Sequence, residues 1–149
     1  MDHLLLLTLL LATGAAAPDT GPDRSCAREV RATATAFRLS ELPPEIRDDL
    51  NLLLHNDIGD RGAPLLGTDA PRPAEQNFPT TRFFQALLVS GEWFVQFEVS
   101  MFAGVRTLGY VRGSDGRFRR WPMHDFGGPA CETIRAVLRG VTTPGGFRP

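Results

Sequence analysis

Residues 93–101 alternate between apolar and mostly polar side chains, and this pattern constrains the fold more than any other part of the sequence. Every second position from Trp93 to Met101 is apolar, whereas Gln96 and Glu98 lie between them. Successive side chains of a β-strand point to opposite faces of its sheet, so the spacing predicts a strand with one buried face. Neighbouring stretches of similar composition predict three further strands, at residues 82–89, 105–112 and 117–121. We therefore predict a curved, four-stranded antiparallel meander.

Ser90 and Gly91 separate the first two predicted strands and set their register. A two-residue turn at these positions brings the apolar sides of the two strands together on one face. A three-residue turn would bury Gln85 against Phe97, because slipping a strand by one residue turns every side chain to the other face. The sequence therefore predicts the two-residue turn, with the facing pairs Leu88–Trp93, Ala86–Val95, Phe84–Phe97 and Gln85–Gln96.

The second face of this sheet, which we call the outer face, is also predicted to be apolar. In the two-residue register Leu87 lies opposite Phe94 on this face. A three-residue turn at residues 102–104 adds side chains from the third strand, and Tyr110 would then receive a cation–π contact from Arg119. The predicted members of the outer face are Phe83, Leu87, Phe94, Leu108, Tyr110 and Arg119.

Two interpretations of the outer face are open. A sheet needs only one apolar face for its core, so the second face is either covered by another part of the chain or available to a partner. The candidate covers are the N-terminal segment and the Gly- and Pro-rich connection at residues 60–79. An exposed patch would instead bind a protein or a small apolar ligand. Its predicted rim consists of Arg106, Arg112, Arg117 and Arg119.

Helices are predicted before and after the meander in the chain. After a Pro-Pro pair, apolar residues recur at helical spacing through residues 45–55. A shorter helix is predicted at residues 131–139, because Gly140 follows as a helix stop. Residues 27–39 fit both helical and strand spacing, and we favour a helix there. The predicted fold class is α+β, with the main helix packed on the meander and a short C-terminal helix.

The N-terminus has the pattern of an export signal. Residues 4–12 are apolar apart from Thr8, and small residues follow. Signal peptides have an apolar core of roughly 7–15 residues before a small-residue cleavage site, whereas a membrane span needs about 20. Cleavage is expected after Ala16 or Ala17, and we favour Ala16. The predicted organisation is a signal peptide at residues 1–16, a polar tether at 17–26, a single α+β domain at 27–141 and a flexible tail at 142–149.

The chain contains two cysteines, Cys26 and Cys131. Exported compartments are oxidising, so an even number of cysteines in an exported chain indicates a disulfide. This bridge would join the start of the domain to its last helix. Every basic residue is Arg, which is typical of a GC-rich bacterial genome. We therefore expect a bacterial protein of the periplasm or the medium, with one disulfide and no membrane span in the mature chain.

The charge balance excludes two classes of partner. Sixteen basic residues against seventeen acidic ones give a formal net charge of −1. A near-neutral chain lacks the broad positive surface that nucleic acid or an anionic membrane requires, so neither is expected as a partner. The sequence also contains no Gly-rich phosphate loop, and no cofactor is expected.

Two small groups of residues could carry chemistry. His124 and Asp125 follow the last predicted strand, in a loop where a His could act as a general acid–base. His55, Asp57 and Asp60 lie near the end of the main helix and contain metal-ligating groups. They lack the spacing of a calcium loop and a third strong zinc ligand. A structural role in turns is the simpler explanation of both groups.

Apolar surface is plentiful in the predicted sheet and convergent polar groups are scarce, which favours binding over catalysis. We expect a non-enzymatic binding or accessory module that binds a protein or a small apolar ligand of the cell envelope through the outer face. One form of this hypothesis is an inhibitor of an exported hydrolase. The alternative is a small secreted hydrolase or metal-dependent enzyme that uses His124 with Asp125, or His55 with Asp57.

Overall fold

The computed structural model describes residues 24–66, 78–100, 104–127 and 130–139, with the backbone alone at 24–25, 122–127 and 130. The predicted signal peptide and tail lie outside these residues. Within them, no helix has both the length and the apolar character that crossing a membrane requires.

Short helices and a larger set of strands make up the described part of the chain. The helices are α1 (Arg24–Glu29), α2 (Pro44–Leu53) and α3 (Ala130–Leu138), with a 3₁₀ turn at Leu39–Glu41. The strands are β1 (Ala34–Ala36), β2 (Ile58–Gly59), β3 (Thr81–Val89), β4 (Glu92–Val99), β5 (Gly104–Arg112) and β6 (Phe118–Gly127).

The strands form one six-stranded sheet in the order β1-β3-β4-β5-β6, with β2 also paired to β3. β2 runs parallel to β3, and the other described pairs are antiparallel. The sheet therefore has two more strands than the sequence predicted, and both are short additions beside β3. The mixed helix and sheet content agrees with the predicted α+β class.

Two boundaries near the N-terminus differ from the prediction. α1 begins at Arg24, inside the predicted tether. The helix favoured for residues 27–39 is wrong beyond the end of α1, because Ala34–Ala36 pairs with β3 as strand β1. The alternating pattern of this segment fits a strand, and its backbone groups find hydrogen-bond partners on the edge of β3.

α2 packs on the face of the sheet that carries Trp93, Val95 and Phe97, which we call the inner face. The helical spacing of the sequence puts Ile46 and Leu50 on one side of α2, and both side chains are completely buried there. Full burial of side chains of this size contributes about 1.5–3 kcal/mol each, so these two residues anchor α2 to the sheet.

The outer face is covered by α1 and α3. The Cys26–Cys131 disulfide joins the two helices across a sequence separation of 105 residues, as predicted. The N-terminal segment therefore covers this face, which is one of the two interpretations that the sequence leaves open, and α3 shares that role. The buried cluster between these helices and the sheet contains Cys26, Val30, Leu87, Val89, Phe94, Ile134 and Val137.

The predicted two-residue turn between β3 and β4 is confirmed. Val89 pairs with Glu92, and both turn residues, Ser90 and Gly91, have positive φ angles of 53° and 85°. These angles define the hairpin turn whose twist matches that of the strands. The predicted pairs Leu88–Trp93, Ala86–Val95, Leu87–Phe94 and Gln85–Gln96 are all present.

A β-bulge changes the register of the same strands farther from the turn. The pairing shifts between Phe83 and Gln85, so Phe83 rather than Phe84 lies opposite Phe97. Phe83 is consequently buried in the inner core, and its predicted place on the outer face is wrong. The extra residue of the bulge exchanges the faces of the residues before it.

The predicted register of β4 with β5 is also wrong. Val95 pairs with Leu108 and Trp93 with Tyr110, so Leu108 and Tyr110 belong to the inner core under α2. The predicted turn at 102–104 fails because Gly104 already pairs with Val99. The difference is an odd number of residues, and an odd shift moves every side chain of a strand to the other face.

Candidate functional site

A charged cleft lies between the outward side of α2 and the start of β6, and we call it the α2–β6 cleft. Its volume is about 390 Å³. Acidic side chains come mainly from α2 and arginines from the β5–β6 turn and β6. The lining residues are Glu45, Asp48, Asp49, Asp115, Arg117, Phe118, Arg119 and Arg120.

The helical repeat of α2 explains why its acidic residues face this cleft. Because Ile46 and Leu50 are buried on the sheet, Glu45, Asp48 and Asp49 lie toward the rim or the exposed side of the helix. Leu52 follows Asp48 by one helical turn, and it is 78% exposed. A large apolar side chain is therefore exposed to solvent one helical turn from a residue that lines the cleft.

Asp49 connects α2 to the middle of the sheet. Its Oδ2 accepts a 2.9 Å hydrogen bond from the buried Tyr110 hydroxyl and lies 3.6 Å from Nε of Arg120. Burial raises the pKa of Tyr110 well above its usual range, and the negative charge of Asp49 raises it further. The phenol consequently stays protonated and holds the carboxylate in place.

Glu45 is fixed at the first turn of α2. Its Oε1 accepts a 3.3 Å hydrogen bond from the Phe118 backbone N–H of β6. The pKa of Glu45 is lowered by a hydrogen bond from its own backbone N–H and then by the one from Phe118. An acidic residue at this end of a helix is also favoured by the helix dipole. Glu45 thereby ties the start of α2 to the edge of the cleft.

The β5–β6 turn carries the opposite wall. Asp115 accepts a 2.7 Å bond from Nη2 of Arg119 and a 3.2 Å bond from the Arg117 backbone N–H. The Arg119 bond is the main reason that the pKa of Asp115 is lowered. A Cβ atom at Gly113 would lie 2.8 Å from Oδ1 of Asp115, so a larger residue there would displace the Asp115 carboxylate. The guanidinium group of Arg119 is therefore paired with Asp115 of the same turn.

Two charged side chains of the cleft form no ion pair or side-chain hydrogen bond among the described residues, although the charge of Arg117 helps to lower the pKa of Glu45. One is the exposed Asp48 on α2, and the other is the exposed Arg117 on the facing turn. The other acidic residues and arginines of the cleft take part in the contacts given above. The cleft can therefore offer one carboxylate and one guanidinium to a polar partner, with Leu52 as a nearby apolar contact.

The predicted outer-face residues do not form an exposed patch. Phe83, Leu87, Phe94, Leu108 and Tyr110 are all buried. The predicted contact of Arg119 with Tyr110 is wrong, because Tyr110 pairs with Arg120 while Arg119 pairs with Val111. A cation–π contact forms instead between Arg112 and Phe118, 4.7 Å from guanidinium carbon to ring centroid. The binding role of the predicted set stays a prediction. The five buried residues offer little surface to a partner.

The predicted metal candidates stabilise loops. Asp57 accepts hydrogen bonds from the backbone N–H and the hydroxyl of Thr80, and Asp60 accepts one from the Leu39 N–H. His55 is exposed, with a left-handed φ of 52° just after α2. Across the described ranges, no group of three or more His, Cys, Asp or Glu side chains is placed to hold a metal ion.

His124 and Asp125 lie within β6 rather than in a loop, and Asp125 pairs with Leu108. Their side chains lie outside the described part of the structure. The hydrolase alternative that uses them stays a prediction.

The acidic side of α2 was not predicted to be part of a site. Its signal was present in the exposed positions Asp48 and Leu52 of the predicted helix. The sequence did not indicate that this side of the helix would face the β5–β6 turn, because Glu45 and Phe118 are 73 residues apart.

Comparison with known proteins finds no match to this chain among family models, curated proteins or solved structures.

Proposed function

We propose that the protein is an exported, non-enzymatic binding module that recognises a segment of a partner protein through the α2–β6 cleft. The observation that carries this proposal is the pair of opposite charges without an ion pair, Asp48 and Arg117, in the lining of the cleft, with the exposed Leu52 one helical turn after Asp48. The partner segment would present a basic side chain to Asp48, an acidic side chain to Arg117 and an apolar contact to Leu52.

Preorganisation supports this use of the cleft. Glu45 and Asp49 are held by hydrogen bonds to β6 and β5, and Asp115 is held by Arg119. A partner would therefore meet walls that are already ordered, and binding would avoid part of the entropy of fixing side chains.

The exposed leucine supports a protein as the partner. Apolar anchors surrounded by polar groups contribute much of the binding free energy in protein interfaces, while exposed charges mainly give orientation and specificity. Leu52 has this position, one turn from Asp48. The disulfide is compatible with an extracytoplasmic environment, where an inhibitor of an exported hydrolase would be one form of such a module.

Site-specific photocrosslinking tests the proposal. A photoreactive amino acid would replace Leu52 in the full chain, produced in its own host and irradiated in the envelope fraction and the medium. A matched protein would carry the probe at the exposed Glu132 of α3, on the other side of the sheet. We expect one discrete crosslinked protein from position 52 and none of that mass from position 132.

Charge reversal makes the test specific to the cleft. The variants Asp48→Arg and Arg117→Glu should each abolish the crosslink, whereas Arg28→Glu on the exposed side of α1 should leave it unchanged. No product at position 52, or a product indifferent to both cleft reversals, would overturn the proposal. Circular dichroism of each variant would establish that it is folded.

A further inference from the structure

A second groove lies on the opposite side of the sheet, between α1 and α3, and we call it the α1–α3 groove. Its volume is about 240 Å³. It is lined by Glu29, Val30, Arg31, Arg135, Leu138 and Arg139. Three arginines against one glutamate make it positively charged, in contrast to the α2–β6 cleft.

Apolar surface forms part of this groove. Val30 is nearly buried in the cluster beneath α1, whereas Leu138 remains 43% exposed. Leu138 therefore offers an apolar surface with arginines around it. An occupant with one apolar side chain would remove this surface from water.

The arginines of the groove differ in their contacts with the rest of the protein. Nη1 of Arg135 forms a 2.6 Å ion pair with Glu29, which spans the two helices. Nε of Arg139 donates to the Arg135 carbonyl oxygen, a common contact at the end of a helix. Neither Arg139 nor Arg31 pairs with a carboxylate in the part of the chain that the structure describes. Their guanidinium groups are available to an anion.

Arg31 occupies a backbone position where glycine is ordinarily preferred. Its φ is 54°, and the turn after α1 is closed by the bonds Arg31 N–H to Arg28 O and Ala32 N–H to Ala27 O. This is the pattern of a helix C-terminus whose left-handed residue is usually glycine, because any other side chain is disfavoured there. The backbone at this position thus disfavours a side chain, and the side chain that is present lines the charged groove.

The disulfide and the ion pair hold the groove in shape. Cys26 and Cys131 link α1 to α3, and Glu29 with Arg135 links them again one turn farther along. These two links constrain the positions of Arg31 and Leu138 relative to each other.

We infer that the α1–α3 groove docks an acidic segment of a partner protein, with one apolar side chain on Leu138 and carboxylates on Arg31 and Arg139. Planar guanidinium groups bind carboxylates through two parallel hydrogen bonds, which gives orientation as well as affinity. This site is independent of the proposed function, since it lies on the other side of the sheet and carries the opposite charge.

Selection from a random peptide display library on the oxidised protein tests the inference. We expect enrichment of peptides that place Asp or Glu beside an apolar residue. The best synthetic peptide should shift the backbone NMR signals of Arg31, Leu138 and Arg139, and those of α2 should not move. No enrichment, a consensus without acidic residues, or shifts confined to another surface would overturn the inference.

The variant Arg31→Gly separates binding from folding. Glycine suits the left-handed position, so its thermal unfolding midpoint should be no lower than that of the wild type. Loss of one charge-assisted contact should nevertheless weaken the selected peptide roughly tenfold to hundredfold. Asp48→Ala, in the other cleft, is the matched control and should leave peptide affinity unchanged. Unchanged affinity of Arg31→Gly would show that the arginine does not hold the ligand and would overturn the inference.

Discussion

The side-chain amide of Gln85 donates a 2.8 Å hydrogen bond to the side-chain oxygen of Gln96 across β3 and β4, and both residues are fully buried. Among the described residues, the remaining polar atoms of the pair, Oε1 of Gln85 and Nε2 of Gln96, have no hydrogen-bond partner. A buried amide without a partner is costly, so the mutual bond makes each glutamine necessary to the other. It also favours the register in which the two residues are opposite each other.

This pair predicts strong non-additivity on substitution. Gln85→Leu alone should destabilise the fold by about 1–3 kcal/mol, because it leaves the Gln96 amide buried without its partner. The double variant Gln85→Leu/Gln96→Leu should recover most of that loss, since it removes both buried amides. Urea unfolding of the wild type, both single variants and the double variant would give the coupling free energy. Additive losses in this cycle would contradict the prediction.

The hairpin turn predicts a stabilising substitution. Ser90 has a φ of 53° next to Gly91, and asparagine tolerates this left-handed conformation better than serine does. Ser90→Asn should therefore raise the free energy of unfolding by a few tenths of a kcal/mol, up to about 1 kcal/mol. Chemical denaturation would measure the change. Ser90→Val should move it in the opposite direction, because a β-branched residue is strained at positive φ.

The register of β3 with β4 could be predicted because one short turn determines it. Ser90-Gly91 leaves two choices, and only one of them puts Leu88 and Trp93 on the same side. The bulge at Phe84 could not be predicted from alternation, because Phe83 and Phe84 are identical and either one could face Phe97. The β4–β5 register was likewise open, because several loop lengths fit the same pattern. Whether the number of loop residues is odd or even decides on which face of the sheet Tyr110 lies.

The candidate sites were less accessible to sequence reasoning than the strands were. The disulfide could be predicted, since two cysteines in a chain expected to be exported leave one pairing. The α2–β6 cleft depends on contacts such as Glu45 with Phe118, which the local sequence does not specify. The second apolar face is a related case: Leu87 and Phe94 could be covered or exposed as far as the sequence pattern goes, and the positions of α1 and α3 decide between the two interpretations.

Tyr110 predicts a delayed titration at alkaline pH. It is the single tyrosine of the chain, and burial together with Asp49 raises its pKa above the ordinary value of 10.0. The ultraviolet absorbance of the phenolate should therefore remain absent in the folded protein above that pH and appear together with unfolding. A group whose pKa is raised on folding contributes to stability at pH values below its pKa in the unfolded chain. This contribution is lost as the pH rises. A phenolate that forms before unfolding would contradict this assignment.

Glu45 predicts a contribution to stability that disappears in acid. Hydrogen bonds lower its pKa below the ordinary value of 4.5, so the charged form stabilises the folded state above that pH. Glu45→Gln should lower the free energy of unfolding at neutral pH, and the difference from the wild type should shrink as the pH falls through the lowered pKa. Thermal unfolding across this pH range would measure it. Glu132→Gln, at an exposed position of α3, serves as the control substitution.

The disulfide predicts the largest single loss of stability. Cross-linking residues 105 positions apart removes conformational entropy from the unfolded chain, and this is worth about 4–5 kcal/mol in the chain-entropy model. Cys26→Ala/Cys131→Ala should therefore lower the free energy of unfolding by about that amount. Reduction of the wild type should give a similar loss, since it opens the same loop.

The loss of stability should affect α1 and α3 first, because these helices are short and the disulfide joins them over the outer face. Hydrogen exchange at Leu87 and Phe94 should then accelerate more than exchange under α2. Uniform acceleration across both faces would show that the bond stabilises the domain as a whole rather than the cover of this face.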